Sequence, residues 1–292
     1  MKGKKRIELF DIVIGTILTV WAFIIVFPFF NVIAVALASE QEYLKTSYLI
    51  FPREPTLTNF RQILMDARIF MGYRTTMIFL LIGVPYNMVI TTMTAFALSK
   101  DAFPGKKLFL YFIIFTMYFS GGIVPLYLHV MNLGLSNTIW SVILVYGCNT
   151  FYMIVMRSYF VSLPYEIQES AKIDGANEFR ILLSIILPLA RPILATILLF
   201  FTVDRWNEWF YSMIFIRNVQ ITPLQVVLRS IIIGAQFAQL GDGASSVLEL
   251  QMQFVRGLRM AAVLVTMAPI MLVYPFVQKH FVKGIMIGAI KA

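Results

Sequence analysis

Residues 162–188 read SLPYEIQESAKIDGANEFRILLSIILP, a long polar interruption between two hydrophobic spans that still carries the marks of folded structure. Ser162, Pro164 and Glu166 supply helix-entry chemistry, because a proline in a first turn removes no needed N–H and a carboxylate suits the positive end of a helix. Asp174-Gly175 predicts a left-handed stop, and Asn177 with Glu178 supplies a cap and first turn for a second helix. Phe179, Leu182, Leu183 and Ile186 then fall at helical spacing, giving that helix one apolar face before Pro188 admits it to the next span. Two short helices meeting at a glycine make a bracket.

Inside the bracket, Glu169-Ser170-Ala171, then Gly175 six residues after the glutamate, then Ile185, Leu187 and Pro188, follow a recognisable spacing. It resembles the EAA loop of ABC-importer permeases, with Ser170 in place of the first alanine. The resemblance implies a type I ABC-importer permease fold and a cytoplasmic coupling helix that docks on an ATPase subunit. Glu166, Glu169, Ser170, Ala171, Asp174, Gly175, Ala176, Leu187 and Pro188 are the matching coupling positions. By the same resemblance Glu169 pairs with a basic residue of the ATPase, Ala171 packs closely and Gly175 makes the turn. The sequence IDGA at Ile173 to Ala176 is similar to carbohydrate-uptake permeases like the second permease of the maltose transporter, closest to the branch that handles oligosaccharides and complex glycans. The implied partners are a second homologous permease, an ATPase dimer holding ATP and Mg, and an extracellular solute-binding protein that delivers the carbohydrate. The resemblance also implies that the tail from Gly284 to Lys291 reaches into the ATPase dimer.

The composition agrees with a membrane-embedded chain. Of 292 residues 59% are hydrophobic and 13% are charged, and the mean hydropathy is +0.80, which excludes an ordinary soluble domain. The net charge of +9 is scattered through short loops and forms no sustained patch, so it reads as topology and not as nucleic-acid binding. Cys148 lies alone in a hydrophobic stretch and reads as a packed small side chain.

Six spans are expected, at about 12–38, 75–99, 108–130, 137–156, 188–211 and 260–281, in one permease domain covering 1–292. The first, from Ile12 to Ala38, is longer than the apolar core of a signal peptide, about 7–15 residues, and suits an uncut span in which Pro28 predicts a kink. The segment 39–74 is placed outside, with a short helix capped near Thr58 or Asn59. Gly83, Pro85 and Asn87 are expected to break the second span, and Lys100 to Lys107 forms a short basic turn. The loop 212–259 is external, with a flexible tip at QLGDGASS. With the N-terminus inside, fourteen Lys and Arg fall in inner segments, nine in longer outer loops, and Arg205 within a span. The positive-inside rule therefore places both termini and the bracket in the cytoplasm. The fold class is an all-α polytopic protein of a bacterial cell membrane.

No GxxxxGK[ST] occurs, so nucleotide belongs to a partner and no catalytic residue or cofactor is assigned to this chain. An amphipathic connector lying on lipid is the competing reading of the bracket, but Glu166, Glu169, Asp174 and Glu178 repel an anionic surface. A second constellation is Asp204, Arg205, Trp206, Asn207, Glu208 and Trp209, followed by Phe210. Ionisable groups in a span are costly and face a cavity or a partner helix; Arg205 with Glu208 and Asp204 with Glu208 have the spacing of a local ion-pair network. The rings of Trp206, Trp209 and Phe210 fall at helical spacing and suit a sugar face, and an aromatic belt at the outer interface is the competing reading. A third candidate is Phe119 with Gly121 and Gly122, before Pro125, where an unwound helix either offers backbone groups to a substrate or is a packing kink. His129 and His280 have no ligand-spaced companions, so no metal is expected. An ABC permease for another solute, an ion-gradient-driven secondary transporter and a membrane-embedded enzyme are the rival readings. The last two lack, respectively, a midplane charge relay with internal repeats and a converging catalytic constellation.

Overall fold

The computed structural model describes residues 9–45, 49–240 and 256–272, and among them the chain is helical with no strand. It divides into two compact units, 1–69 with 228–268 and 70–227 with 269–292.

In the first unit, α1 (Leu9–Leu37) runs through Pro28 as one helix. It is apolar on all sides, and the 18-residue stretch that marks it as a candidate span has no residue buried within the chain, which is the pattern of a helix solvated by lipid or a partner. Its last turn is anchored: Ala34, Val35 and Ala38 pack with Leu49, and Tyr43 and Met260 lie against them. The orphan carbonyls at that end are met by the buried Asn59 side chain, which donates to Ala36 O at 2.9 Å and Ala38 O at 3.1 Å. Asn59 therefore closes the preceding helix; the short helix α2 (Thr58–Met65) starts at Thr58 with no side-chain cap.

The second unit is built on α3 (Ala67–Ser99), whose 33 residues pass Gly83, Pro85 and Asn87 without a break. The expected interruption is a π turn at Phe79–Gly83. The wider turn accommodates the missing N–H of Pro85, which sits at the start of the α-helical stretch that follows. Next come α4 (Lys106–Tyr118), α5 (Ile123–Asn132), α6 (Ile139–Val145), α7 (Thr150–Val161), α8 (Glu166–Ile173), α9 (Glu178–Leu189), α10 (Arg191–Trp206) and α11 (Phe210–Phe215). Leu224–Leu240 is a further helix, α12, and 256–272 is helical. A core of Phe96, Met153, Met156, Phe160, Ile181, Ile186, Ile197 and Phe201 joins α3, α7, α9 and α10.

Among the described residues two helices, α1 and α3, are long and apolar enough to cross a membrane alone, and up to five spans result if each bent pair counts as one. The bends are 113° between α4 and α5, 46° between α6 and α7, and 86° between α9 and α10. The expected fifth span is accordingly redrawn: the second arm of the bracket contains Pro188, the chain turns at Ala190, and a straight helix follows to Trp206. Of the expected sixth span, 260–272 is helical and the remainder lies outside the described residues, as do the C-terminal tail, His280 and most of QLGDGASS.

Candidate functional site

The bracket is assembled from short-range backbone chemistry. Its first arm, α8, begins at Glu166, so Ser162 serves the previous helix, donating to Tyr159 O at 2.8 Å. The arm ends in a Schellman motif: Ala176 N–H donates to Ala171 O at 2.9 Å and Gly175 N–H to Lys172 O at 3.0 Å. This requires Gly175 at φ +79°, where an L side chain is strained and glycine is not. Two residues on, Asn177 caps the second arm by accepting from Arg180 N–H at 2.8 Å.

The bracket has an inner and an outer face. Ala171 is buried in the core beside Phe160 and Ile181, so its small size lets the first arm lie close to its own chain. Glu166, Glu169, Ser170, Asp174 and Gly175 are exposed, Ala176 and Leu187 are half-buried, and Pro188 is exposed. Around Glu169 the outer face is apolar, with Ile173 82% exposed, Phe179 61% exposed and Ile167 also uncovered. The exposed Glu169 carboxylate therefore sits among solvent-facing apolar side chains.

Both arms are tied to the end of α3 by Lys100, a residue that the sequence shows only as part of a basic turn. Its ammonium donates to Gln168 Oε1 in α8 and lies 2.9 Å from Glu178 Oε2 in α9, over the Phe96 ring at 4.2 Å. Lys172 approaches the other Glu178 oxygen at 2.6 Å. Partial burial works against the Glu178 charge, but the hydrogen bonds from Lys100 and Lys172 outweigh it and hold the carboxyl below its ordinary range. The Glu178 hydrogen bond raises Lys172 in turn.

The constellation at 204–209 is ordered differently. Arg205 is 1% exposed and its guanidinium fills the break between α6 and α7. Nε donates to Asn87 Oδ1 at 3.0 Å, Nη1 to Val142 O at 3.1 Å, and Nη2 to Ile143 O at 3.0 Å and Tyr146 O at 3.3 Å. These carbonyls form the negative end of α6, where a cation is favoured. The Asn87 amide completes the join by donating to Tyr146 O and, at 2.8 Å, to Gly147 O. Gly83 makes room, since a Cβ there would meet Arg205 Nε at 3.0 Å. Gly83 and Asn87, expected as helix breakers, are the seat of Arg205.

No ion pair joins Arg205 to Asp204 or Glu208 among the described residues, so the local ion-pair network expected from their spacing is replaced by two caps. Glu208 turns to the start of α11, accepting from Tyr211 N–H at 2.8 Å and Ser212 N–H at 3.1 Å. The ring face expected from Trp206, Trp209 and Phe210 does not form either, because α10 ends between them. Trp206 is buried edge-on to Tyr73 at 6.3 Å, while Trp209 packs edge-on to Phe210 at 5.7 Å. Exposed Asn207 donates back to Val203 O at 3.0 Å. Asp204 stays half-buried and accepts from Tyr152 Oη at 2.9 Å and Tyr146 Oη at 3.3 Å, two partners that no local spacing in the sequence announces. At the third candidate, residues 119–122 link α4 to α5 with Gly122 at φ +89°, and Phe119, Gly121 and Gly122 are exposed.

Comparison with known proteins places this geometry in a family context. Residues 103–287 match the family described as binding-protein-dependent transport system inner membrane component. The chain is 34% identical to the polygalacturonan/rhamnogalacturonan transport system permease protein YtcP of Bacillus subtilis, over 97% of this chain and 99% of that protein. It is 36% identical to protein LplC of the same organism, over 92% and 90%. Among solved structures it matches a chain of a bacterial ABC transporter involved in the import of the acidic polysaccharide alginate, with a TM-score of 0.84 and 29% identity over 96% of this chain and 100% of that one.

Proposed function

This chain belongs to the binding-protein-dependent transport system inner membrane component family, and from that membership we propose that it is a permease subunit of an ATP-driven ABC importer for oligosaccharides. The observation that carries the reading is the bracket itself, a glycine-terminated pair of short helices presenting Glu169 amid exposed Ile167, Ile173 and Phe179. Its inner side is continuous with the core of α3, α7, α9 and α10. The carbohydrate class rests on the polygalacturonan/rhamnogalacturonan permease and the alginate importer as similar proteins.

In this reading the chain crosses a bacterial cytoplasmic membrane six times with both termini inside, and pairs with a second homologous permease to enclose one path. An extracellular binding protein delivers the sugar. ATP and Mg sit in the partner ATPase dimer, whose closure brings the coupling brackets together. Each bracket acts as a lever on the helices behind it, switching the cavity between inward- and outward-facing. The reaction on the substrate is movement alone.

For the path, the structure supports a narrower choice than the six-residue constellation. Arg205 and Glu208 are committed to helix ends and Trp206 to packing, whereas Asp204, held by the hydroxyls of Tyr146 and Tyr152, is a half-buried acceptor beside two phenols that suits sugar hydroxyls. Phe119, Gly121 and Gly122, exposed at the α4–α5 turn, are the second candidate for the path.

The test is co-purification from native membranes in mild detergent, wild type beside a Glu169→Ala, Gly175→Pro double variant. Recovery of an ATPase and a second permease with the wild type, and loss of the ATPase with the variant, is the expected result. A wild-type chain that emerges alone and takes up solute on an ion gradient overturns the proposal.

A further inference from the structure

We propose that Lys100 is a positioning residue for ATPase coupling: one ammonium, fixed at the end of α3, sets the angle of both arms of the bracket. The inference rests on the coupling role proposed above and adds to it a residue outside the bracket.

Four observations carry it. Lys100 is the residue at which α3 stops, its backbone extended at φ −77° and ψ 134°, so its position is set by the longest helix of its unit. Its side chain is 14% exposed and its ammonium lies over the Phe96 ring at 4.2 Å, which leaves that ammonium little freedom. That ammonium reaches Gln168 in the first arm and Glu178 in the second. Gln168 is itself buried, so the contact lies on the inner face of the bracket and is not shared with a docking partner. The Gly175 turn fixes how the chain leaves the first arm, but two short helices joined through one glycine still have a hinge. A cation bonded to both sides of the hinge removes that freedom. Arg157 adds a parallel tie, donating from Nε to Leu98 O at 2.9 Å and so holding α7 to the same end of α3.

The consequence is mechanical. Closure of an ATPase dimer reaches the helices behind the bracket only as far as the bracket keeps its angle to them. Without Lys100 the docking face survives, held by the shared core and by the Lys172–Glu178 pair, but it follows α3 less closely.

The experiment uses the purified transporter in lipid nanodiscs. With Cys148→Ser as background, spin labels at Arg180→Cys in the second arm and Ser158→Cys in α7 read the arm's position; both sites are exposed. Lys100→Met keeps an unbranched side chain of similar length and removes the charge and donors, and Lys100→Arg restores a cation. The expected result is one narrow label distance in the Lys100 and Lys100→Arg chains, and a distribution about twice as wide with Lys100→Met. In parallel, kcat for ATP hydrolysis by the complex falls about fivefold with Lys100→Met, while KM for ATP holds, because nucleotide is bound elsewhere. A distance that stays narrow in Lys100→Met, or a loss of kcat that Lys100→Arg does not recover, overturns the inference. If the wild type purifies without an ATPase, the coupling reading fails instead, and the label distances still decide whether Lys100 sets the angle.

Discussion

In the bracket, the bonds that shape the chain are short in sequence: Ala176 to Ala171, Gly175 to Lys172, Arg180 to Asn177. At Arg205 the partners lie 59, 62, 63 and 118 residues away, at the end of α6 and in α3. Both regions are polar islands in an apolar chain, and both contain charges at helical spacing. The difference is where the charge is spent. Exposed Glu169 leaves its carboxylate to the surface, whereas Arg205 and Glu208 are consumed inside, each closing a helix end that the low-dielectric surroundings leave without water. A charge in a span thus need not mark a path; where a broken helix lies beside it, the break is the first claimant.

The sharpest way to break this contrast is to remove Arg205. Arg205→Ala removes one donor from each of the Val142, Ile143 and Tyr146 carbonyls and from Asn87 Oδ1, and the cost is about 3 kcal/mol or more in thermal unfolding of the detergent-purified chain. A variant as stable as wild type returns Arg205 to the path. Next comes Gly83→Ala, whose Cβ presses on Arg205 Nε and costs about 1–3 kcal/mol. Because the clash is with that one side chain, the penalty disappears in an Arg205→Ala background, and a double-mutant cycle that stays additive refutes the seat.

Gly175→Ala tests the other pole. Its strain is local, about 1–2 kcal/mol for a non-glycine residue at φ +79°, and it is the same whether or not Lys100 is present. The smallest effect is in pH. Glu178 is held below its ordinary range, so its contribution is complete above that range and is lost as pH falls through the depressed value; Lys172 is raised, so its share persists up to the ordinary lysine value and fades as pH rises through the raised one. The tie is therefore intact from mildly acidic to mildly alkaline pH. Carboxyl NMR of Glu178, half exposed, should show a depressed titration worth less than about 1 kcal/mol.

Particular residues show why one region was legible and the other was not. Asp174-Gly175-Ala176-Asn177 spells a stop and a cap, because a Schellman turn and an Asn cap depend on φ preference and on side chains that reach three residues or fewer. Ala171 is visible in the sequence as a small residue, but its burial in the same core as Phe160 and Ile181 is not. Lys100 passed unnoticed because nothing within its own turn needs it. The i, i+3 and i, i+4 spacing of Asp204, Arg205 and Glu208 suggested pairing, and failed since helix ends compete for the same charges. Trp206 and Trp209 were separated by a helix terminus that no proline or glycine signals.

The sequence by itself determined the membrane-embedded helical class, the bracket with its glycine stop and asparagine cap, and the resemblance that the family match upholds. All of these follow from apolar length, from backbone conformational preference and from spacing along a few turns. Tertiary structure alone decided that Gly83, Asn87 and the end of α6 make one seat for Arg205, that Tyr146 and Tyr152 hold Asp204, and that Lys100 spans the hinge. Those contacts join segments tens of residues apart, and the demand they answer, an unpaired carbonyl or carboxylate away from water, exists only once the helices have packed.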